Sequence, residues 1–460
     1  MTLDWLSETN LLATATEAAT ESDAEEGTLV LAGVWLSLVI IDFASKLGGE
    51  LCSRINLPPV LGELVGGVLI GISAFRLLVF PETSAAEDSL IINMLQSTAG
   101  LPPEAAPSVF AAQSEVITLL SELGVIILLF EIGLESDLKE LIRVGPIAAI
   151  VAVVGVVAPF VAGTLGLVYI FGTPVVPAIF AGAALTATSI GITAKVLAEL
   201  GQFSSKEGQI IIGAAGLDDI LGIVVLAVVA SLVKTGEIQI TNIVYLIISA
   251  AVFLIGSILL GRLVSPLIVG LVNEMKTRGE VLITGLVFAF SLSYIATAIH
   301  LEGILGAYAA GLILAETEKR KELEEQVIPV ADILVPVFFV CVGAKTDLSV
   351  LNPAVPSNRE GLIIATLLIL VAILGKVITG FTVFGNPDLN KLAIGVGMIP
   401  RGEVGLVFAG VGSASGALSE ATEAAIIVMV ISTTFVAPPL LRLVFEEKET
   451  VAQSVDKVQE

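Results

Sequence analysis

The stretch GMIPRGEVGLVFAG, residues 397–410, places a proline, an arginine and a glutamate inside an otherwise apolar segment. An earlier stretch, TATSIGIT at residues 186–193, similarly places threonine, serine and glycine within an apolar run. Proline and adjacent glycines interrupt a regular helix, and the charges of Arg401 and Glu403 require compensation when they leave water. Both stretches therefore indicate helices that break in their middle.

The composition of the chain indicates a membrane protein. Its 460 residues are 55% hydrophobic and 15% charged, with a mean hydropathy of +0.99, whereas soluble chains typically carry about 25% charged residues. Apolar runs of about 20 residues, enough to cross the hydrocarbon core, recur along the chain. We expect an all-α polytopic protein in a lipid bilayer. No basic patch indicates a nucleic-acid partner, and the isolated Cys52 and Cys341 indicate neither a disulfide framework nor a metal site.

Apolar runs between polar breaks predict thirteen membrane-spanning helices. Residues 1–27 contain seven acids and no Lys or Arg, so we expect a solvated extracytoplasmic tail. We expect a long polar connection at 81–114 and a short cytoplasmic tail at 446–460. The predicted spans are residues 28–48, 58–80, 115–134, 145–171, 174–199, 206–233, 239–272, 279–299, 302–317, 326–345, 360–384, 390–415 and 420–445.

The distribution of lysine and arginine orients these spans. With the N-terminus outside and the C-terminus in the cytoplasm, 16 of the 22 basic residues lie in inside segments or toward the inner ends of spans, and 4 lie in outside segments or toward the outer ends. The remaining two, Lys376 and Arg401, lie within spans. This bias is what the positive-inside rule requires. The membrane is expected to be a bacterial-type plasma membrane or a thylakoid membrane.

The two halves of the chain resemble each other. FEIGLESDLKEL (130–141) aligns with FVCVGAKTDLSVL (339–351) at an offset of 210, and VLGELVGGVLIG (60–71) aligns with ILGAYAAGLILA (304–315) at an offset of 244. TATSIGIT falls opposite PRGEVGLV at an offset of 214. Matching spans are seven apart, an odd number, so they cross the membrane in opposite directions. Such inverted-topology repeats are typical of secondary transporters.

Irregular backbone at membrane depth is tolerated only beside a cavity or inside protein. The interrupted stretches therefore predict two crossing discontinuous helices whose ends line a site, with Arg401 and Glu403 compensating the helix-end dipoles and each other. Two further acids, Glu63 and Glu131, lie near predicted span ends. They are either snorkelling side chains or cavity-lining acids.

The segment GLDDILG places Asp218 and Asp219 side by side in another apolar span. A charged side chain at mid-bilayer costs about 2.5–3.5 kcal/mol on insertion scales. Adjacent helix positions point about 100° apart, so we expect different roles for the two carboxylates. Lys376, alone in an apolar span, is the expected partner of Asp218. Asp219 then remains to bind a cation or a proton, because both compete for the same buried oxygens.

TATSIGITAKVLAELG, GLDDILG, GKVITG and GMIPRGEVGLVFAG resemble the bacterial sodium/proton antiporters of the second monovalent cation:proton antiporter family, as do PPVLGELVGGVLIG and FEIGLESDLKEL. The resemblance implies that Asp219 binds the cation and the proton, that Asp218 pairs with Lys376, and that Thr188 and Ser189 approach the ion from an unwound helix. It implies a transporter of Na+, and also of Li+, in exchange for H+, and not an enzyme. No cofactor is expected.

The resemblance also implies a division of the membrane domain, residues 28–445. A core carries the site and moves like an elevator against a scaffold that forms a homodimer. The adjacent aspartates with a lysine are similar to the motif of the electrogenic members of the family. No nucleotide-binding regulatory domain is expected. The core is expected at 145–233 and 360–445, the scaffold at 28–134 and 279–345, and a linker helix at 239–272.

Three other functions compete with Na+/H+ exchange as interpretations of these residues. Exchange of K+ for H+ on the same fold stays open, since oxygen ligands bind both ions. An intramembrane aspartyl protease would need two aspartates from different helices sharing one proton, whereas Asp218 and Asp219 are adjacent and point apart. A continuously conducting channel is disfavoured by the inverted repeat and the single carboxylate site.

Overall fold

The structure is a computed structural model that describes residues 4–235, 240–275, 277–384, 389–414 and 416–459. Within these residues it contains sixteen α-helices and no β-strand, which confirms the predicted all-α class. The helices are α1 (Asp4–Arg54), α2 (Pro59–Ile70), α3 (Leu90–Thr98), α4 (Ala106–Glu135), α5 (Leu138–Phe171), α6 (Val175–Ala184), α7 (Ile190–Glu199), α8 (Lys206–Thr235), α9 (Ile240–Glu274), α10 (Glu280–Ala298), α11 (Gly303–Leu314), α12 (Arg320–Ala344), α13 (Pro356–Gly380), α14 (Lys391–Gly397), α15 (Glu403–Ala414) and α16 (Glu420–Gln459).

Seven helices in the described part of the chain are long and apolar enough to cross a membrane. They are α4, α5, α10, α12, most of α13, and parts of α1 and α16. The apolar helices α2, α6 and α11 have only 10 to 12 residues. The chain is thus a membrane protein with several apolar helices, while the number of thirteen spans stays a prediction.

Each of the two interrupted stretches separates a pair of short helices. The predicted span 174–199 consists of α6 and α7, and residues 185–189 between them are not α-helical. The predicted span 390–415 consists of α14 and α15, with a break at residues 398–402. The polar and glycine-rich residues that interrupt the apolar pattern are therefore the residues at which the helices break.

The region 81–114, predicted to be a polar connection, contains the helix α3. Ser89 caps this helix by accepting a hydrogen bond from the backbone N–H of Ile92 at 3.3 Å. The side chains of Ile91, Ile92 and Leu95 are buried and pack in one apolar cluster with Phe110 of α4. The apolar residues between the polar ones thus form the inner face of a short helix.

The chain divides into two compact units, each with its own apolar core. In one unit, α1, α2, α4 and α12 pack around buried residues such as Ile41 and Val340. In the other, α5, α6, α8, α13, α15 and α16 pack around Phe180, Leu368 and Met429. The first unit comprises Met1–Gly48, Glu63–Leu123 and Pro336–Asp347, and the second comprises Gly49–Gly62, Gly124–Val335 and Leu348–Glu460.

Two pairs of helices approach each other closely at glycines. In the first unit Gly67 of α2 faces Gly343 of α12, and in the second unit Gly311 of α11 faces Gly133 of α4. A Cβ atom added at any of the four would press on a backbone carbonyl oxygen of the facing helix. These oxygens belong to Val340 for Gly67, Leu64 for Gly343, Phe130 for Gly311 and Tyr308 for Gly133.

Candidate functional site

The breaks in the two discontinuous helices are hydrogen-bonded to each other. The backbone N–H of Ser189 donates to the carbonyl oxygen of Pro400 at 2.8 Å. The hydroxyl of Thr188 donates to the carbonyl oxygen of Met398 at 3.1 Å. Backbone groups at a helix end have no partner within their own helix, so each broken helix supplies partners for the other.

Asp218 and Lys376 form an ion pair with both side chains fully buried. The Nζ atom of Lys376 lies 3.0 Å from Oδ2 of Asp218. The same Nζ also donates to the backbone carbonyl oxygen of Thr186 at 2.7 Å. The partner that the sequence predicts for Asp218 is thus the residue that the structure brings to it, and the pair is tied to the break after α6.

Arg401 is the largest fully buried side chain among the described residues. Its Nη1 donates to the carbonyl oxygens of Thr186, at 3.3 Å, and Ala187. The hydroxyl of Thr434 on α16 donates to the carbonyl oxygen of Arg401 at 2.6 Å. The guanidinium therefore lies beside carbonyls that follow the C-terminus of α6, where a positive charge is favourable. The side chain of Glu403 lies outside the described part of the structure.

Asp219 lines a small crevice at the crossing of the broken helices. Its side chain is 5% exposed, and Thr188, Ser189 and Gly402 line the same crevice, as does Glu302. The crevice has room for about one water molecule. Asp219 and Asp218 therefore have different surroundings, one in a crevice with two hydroxyl side chains on its wall and the other against a buried ammonium.

The other acids singled out in the sequence lie elsewhere. Glu63 is buried on α2 in the first unit. Glu131 is half-buried on α4, where Lys195 and Glu135 are among the charged groups that act on it. Among the described residues that line the crevice of Asp219, Glu131 is absent.

Three residues at the site were not predicted from the sequence. Thr186 contributes only its backbone carbonyl, to both Lys376 and Arg401. Gly402 leaves room for Ser189, whose Oγ would lie 2.9 Å from a Cβ at that position. Thr186 lies in the first interrupted stretch and Gly402 in the second. The sequence thus predicts the two breaks, but not the roles of these two residues in them. Glu302 precedes α11, at a predicted span end.

An all-helical membrane protein with buried charges at the crossing of two broken helices has the architecture of a secondary transporter. Residues 39–447 match the family described as "Sodium/hydrogen exchanger, transmembrane", and the chain belongs to that family. This membership makes it a transporter and not an enzyme, which removes the aspartyl protease interpretation.

Similar proteins cover nearly the whole chain. The high-affinity Na+/H+ antiporter NhaS3 of Synechocystis sp. is 75% identical over 93% of both chains. The Na+/H+-K+ antiporter GerN of Bacillus cereus is 32% identical over 90% of this chain and 97% of its own. The solved structure of the sodium proton antiporter MjNhaP1 from Methanocaldococcus jannaschii has a TM-score of 0.58, with 16% identity over 93% of this chain and 98% of its own. This last likeness concerns the fold.

Proposed function

We propose that this protein exchanges Na+ for H+ across a membrane, with Asp219 binding the two ions in turn. The observation that carries the proposal is the different surroundings of the two neighbouring aspartates. Asp218 is held by Lys376 at 3.0 Å, whereas Asp219 lines a crevice with two hydroxyl side chains. The match to NhaS3, described as a Na+/H+ antiporter, supports the same cation.

The crevice offers the chemistry that a hard cation requires. Carboxylate, hydroxyl and carbonyl oxygens are suitable ligands for such ions. The Thr188 hydroxyl donates a hydrogen bond to the Met398 carbonyl oxygen, so the lone pairs of the hydroxyl oxygen can face a cation. A proton on Asp219 would occupy the carboxylate that Na+ needs. The two ions therefore exclude each other at one group, and this exclusion couples their opposite movements.

Lys376 and Asp218 provide a second group of charges beside the site. We propose that this pair makes exchange electrogenic, with more than one proton moved per cation, as in the family members that this motif resembles. Support comes from the position of Lys376, which is bonded both to Asp218 and to the break after α6. Residues 186–189 thus connect the two groups, since Thr186 bonds to Lys376 and Thr188 and Ser189 line the crevice of Asp219.

The four glycine contacts support the proposed inverted repeat. The offset of 244 relates Gly67 to Gly311 and Leu64 to Tyr308, and the offset of 210 relates Gly133 to Gly343 and Phe130 to Val340. The contact of α2 with α12 thus has its counterpart in the contact of α11 with α4, down to the carbonyl that each glycine faces. We propose that the core and scaffold built from these repeats move as an elevator, and that the scaffold forms a homodimer.

Proton flux in proteoliposomes tests the assignment of Asp219. A gradient of Na+, Li+ or K+ is imposed, and the internal pH is followed for wild type, Asp219→Asn and the control Asp42→Asn, which alters an exposed aspartate on α1. We expect Asp219→Asn to abolish cation-driven proton flux and Asp42→Asn to retain it. Full Na+-driven flux in Asp219→Asn would show that another group binds the ions.

The same assay decides between cations and measures electrogenicity. GerN, described as a Na+/H+-K+ antiporter, is the reason to include K+. If a K+ gradient drives proton flux and gradients of Na+ and Li+ do not, the proposed Na+/H+ exchange would have to be replaced by K+/H+ exchange. When the membrane potential is clamped with valinomycin and equal K+, an electrogenic exchanger is expected to run faster than in the unclamped vesicles. An equal rate under both conditions would contradict electrogenic exchange.

A further inference from the structure

A second acidic residue lines the crevice of Asp219. Among the described residues on its wall, Asp219 and Glu302 are the two acids. Asp219 belongs to α8, whereas Glu302 stands immediately before α11, with Ile304 of the same helix also on the wall. The remaining lining residues come from the two broken segments. The crevice is therefore bounded by two separate parts of the predicted membrane domain.

The turn that carries Glu302 is held firmly in place. His300, just after α10, has a left-handed φ of +64°, a conformation that is uncommon in non-glycine residues. The N–H of Leu301 donates to the carbonyl of Ala296 at 2.9 Å. Leu301 is buried in an apolar cluster against which Ile220, the residue after Asp219, is packed. Packing therefore fixes Glu302 near the part of α8 that carries the site.

The charges in this arrangement favour a cation. Glu302 is the N-cap residue of α11, and a negative side chain is favourable at the positive end of a helix. Clefts lined by one sign of charge raise the local concentration and the association rate of ions of the opposite sign by about 10- to 1000-fold. Two carboxylates in one crevice would therefore attract Na+ more strongly than Asp219 alone.

We infer that Glu302 is a positioning carboxylate of the exchange site, which draws the cation into the crevice of Asp219 from the extracytoplasmic side. This inference rests on the proposed function. The predicted topology places the turn before α11 outside, because the loop at residues 299–302 follows the eighth span. Glu302 also belongs to the predicted scaffold segment 279–345 and Asp219 to the predicted core. Its effect is therefore confined to one face of the membrane.

The test compares the two faces of oriented membrane vesicles. For Glu302→Gln we expect the apparent KM for Na+ supplied from outside to rise about threefold or more, below the full range for charged clefts, with the maximal rate and the inside KM little changed. Glu302→Asp is expected to keep most of the low KM. Glu104→Gln, which neutralises an exposed acid between α3 and α4, should resemble wild type. Added choline chloride should shrink the difference, because salt screens exposed charges.

Two results would overturn the role of Glu302. One is an unchanged outside KM in Glu302→Gln, and the other is a rise of the outside and inside KM by the same factor, since the inference confines the effect to one face. Asp219→Asn is measured in parallel. If Asp219→Asn is inactive and Glu302→Gln has the kinetics of wild type, only the inference about Glu302 is refuted. If Asp219→Asn is fully active, the proposed function itself is refuted.

Discussion

Lys376 and Asp218 are both fully buried, and each would leave the other as an uncompensated charge if it were removed. Breaking a buried pair at one partner typically costs about 3–5 kcal/mol, because it leaves an uncompensated buried charge, and neutralising both partners removes that charge. We expect Lys376→Ala to lower the unfolding temperature strongly in detergent. The double variant Asp218→Asn/Lys376→Gln should recover much of the loss.

Lys139→Ala is the control for this comparison, because Lys139 is exposed near the start of α5. It should unfold close to wild type. Equal unfolding temperatures for Lys376→Ala and Lys139→Ala would show that the pair makes no contribution to stability. A double variant less stable than Lys376→Ala would show that the ion pair is not the reason for the loss.

Single residues at the site differ in how far the sequence predicts them. Lys376 is predictable as a partner because an isolated ammonium in an apolar span requires a carboxylate, and few are available. Thr186 is not, because its backbone carbonyl accepts the bonds from Lys376 and Arg401 and any residue has that group. Glu302 is not predictable either, since an acid at a span end has the pattern of a solvated residue until the fold places it beside Asp219.

At the scale of helices, the glycine contacts make a paired prediction. Gly67 and Gly311 occupy equivalent positions in the proposed repeat, and a Cβ at either would press on a backbone carbonyl. Overpacking of this kind typically costs about 1–3 kcal/mol. We expect Gly67→Ala and Gly311→Ala each to lower the unfolding temperature in detergent by similar amounts.

Gly256→Ala on α9 is the matched control, since a Cβ there would meet nothing within 4 Å. Alanine is favoured over glycine in a helix by about 1 kcal/mol, so this variant should be as stable as wild type or more so. Loss at only one of the two contact glycines would contradict their equivalence. If Gly67→Ala and Gly311→Ala were both as stable as Gly256→Ala, the helices would not approach each other closely at these glycines.

Helices are predictable from the sequence where one pattern dominates. The breaks at residues 185–189 and 398–402 follow from polar and glycine-rich residues inside apolar runs. The helix α3 does not, because its five apolar residues span fewer than two turns inside a region that is otherwise rich in Ser, Pro and Glu. The predicted span 58–80 is also too long, since α2 ends at Ile70 and the chain then turns, with Arg76 at a φ of +52°. An apolar run continues there without being helical.

At the scale of the whole molecule, orientation depends on the number of crossings between two points. Thirteen spans place three crossings between Ser97 and Ser204 and five between Ser204 and Asn352. Because three and five are odd numbers of crossings, Ser204 lies on the opposite side of the membrane from both Ser97 and Asn352. Helix lengths alone do not supply this count, because a broken span such as 174–199 consists of two helices that are each too short to cross by themselves.

Labelling of single cysteines tests the count directly. In a chain with Cys52→Ser and Cys341→Ser, cysteine is introduced at one exposed position, Ser97, Ser204 or Asn352. A membrane-impermeant maleimide added to right-side-out vesicles should label Ser97→Cys and Asn352→Cys, and should label Ser204→Cys only after permeabilisation. This pattern follows because the broken segment 174–199 counts as one crossing. Labelling of Ser204→Cys from outside would mean an even number of crossings after Ser97, so that the broken segment 174–199 enters and leaves on the same side and every later loop is reversed.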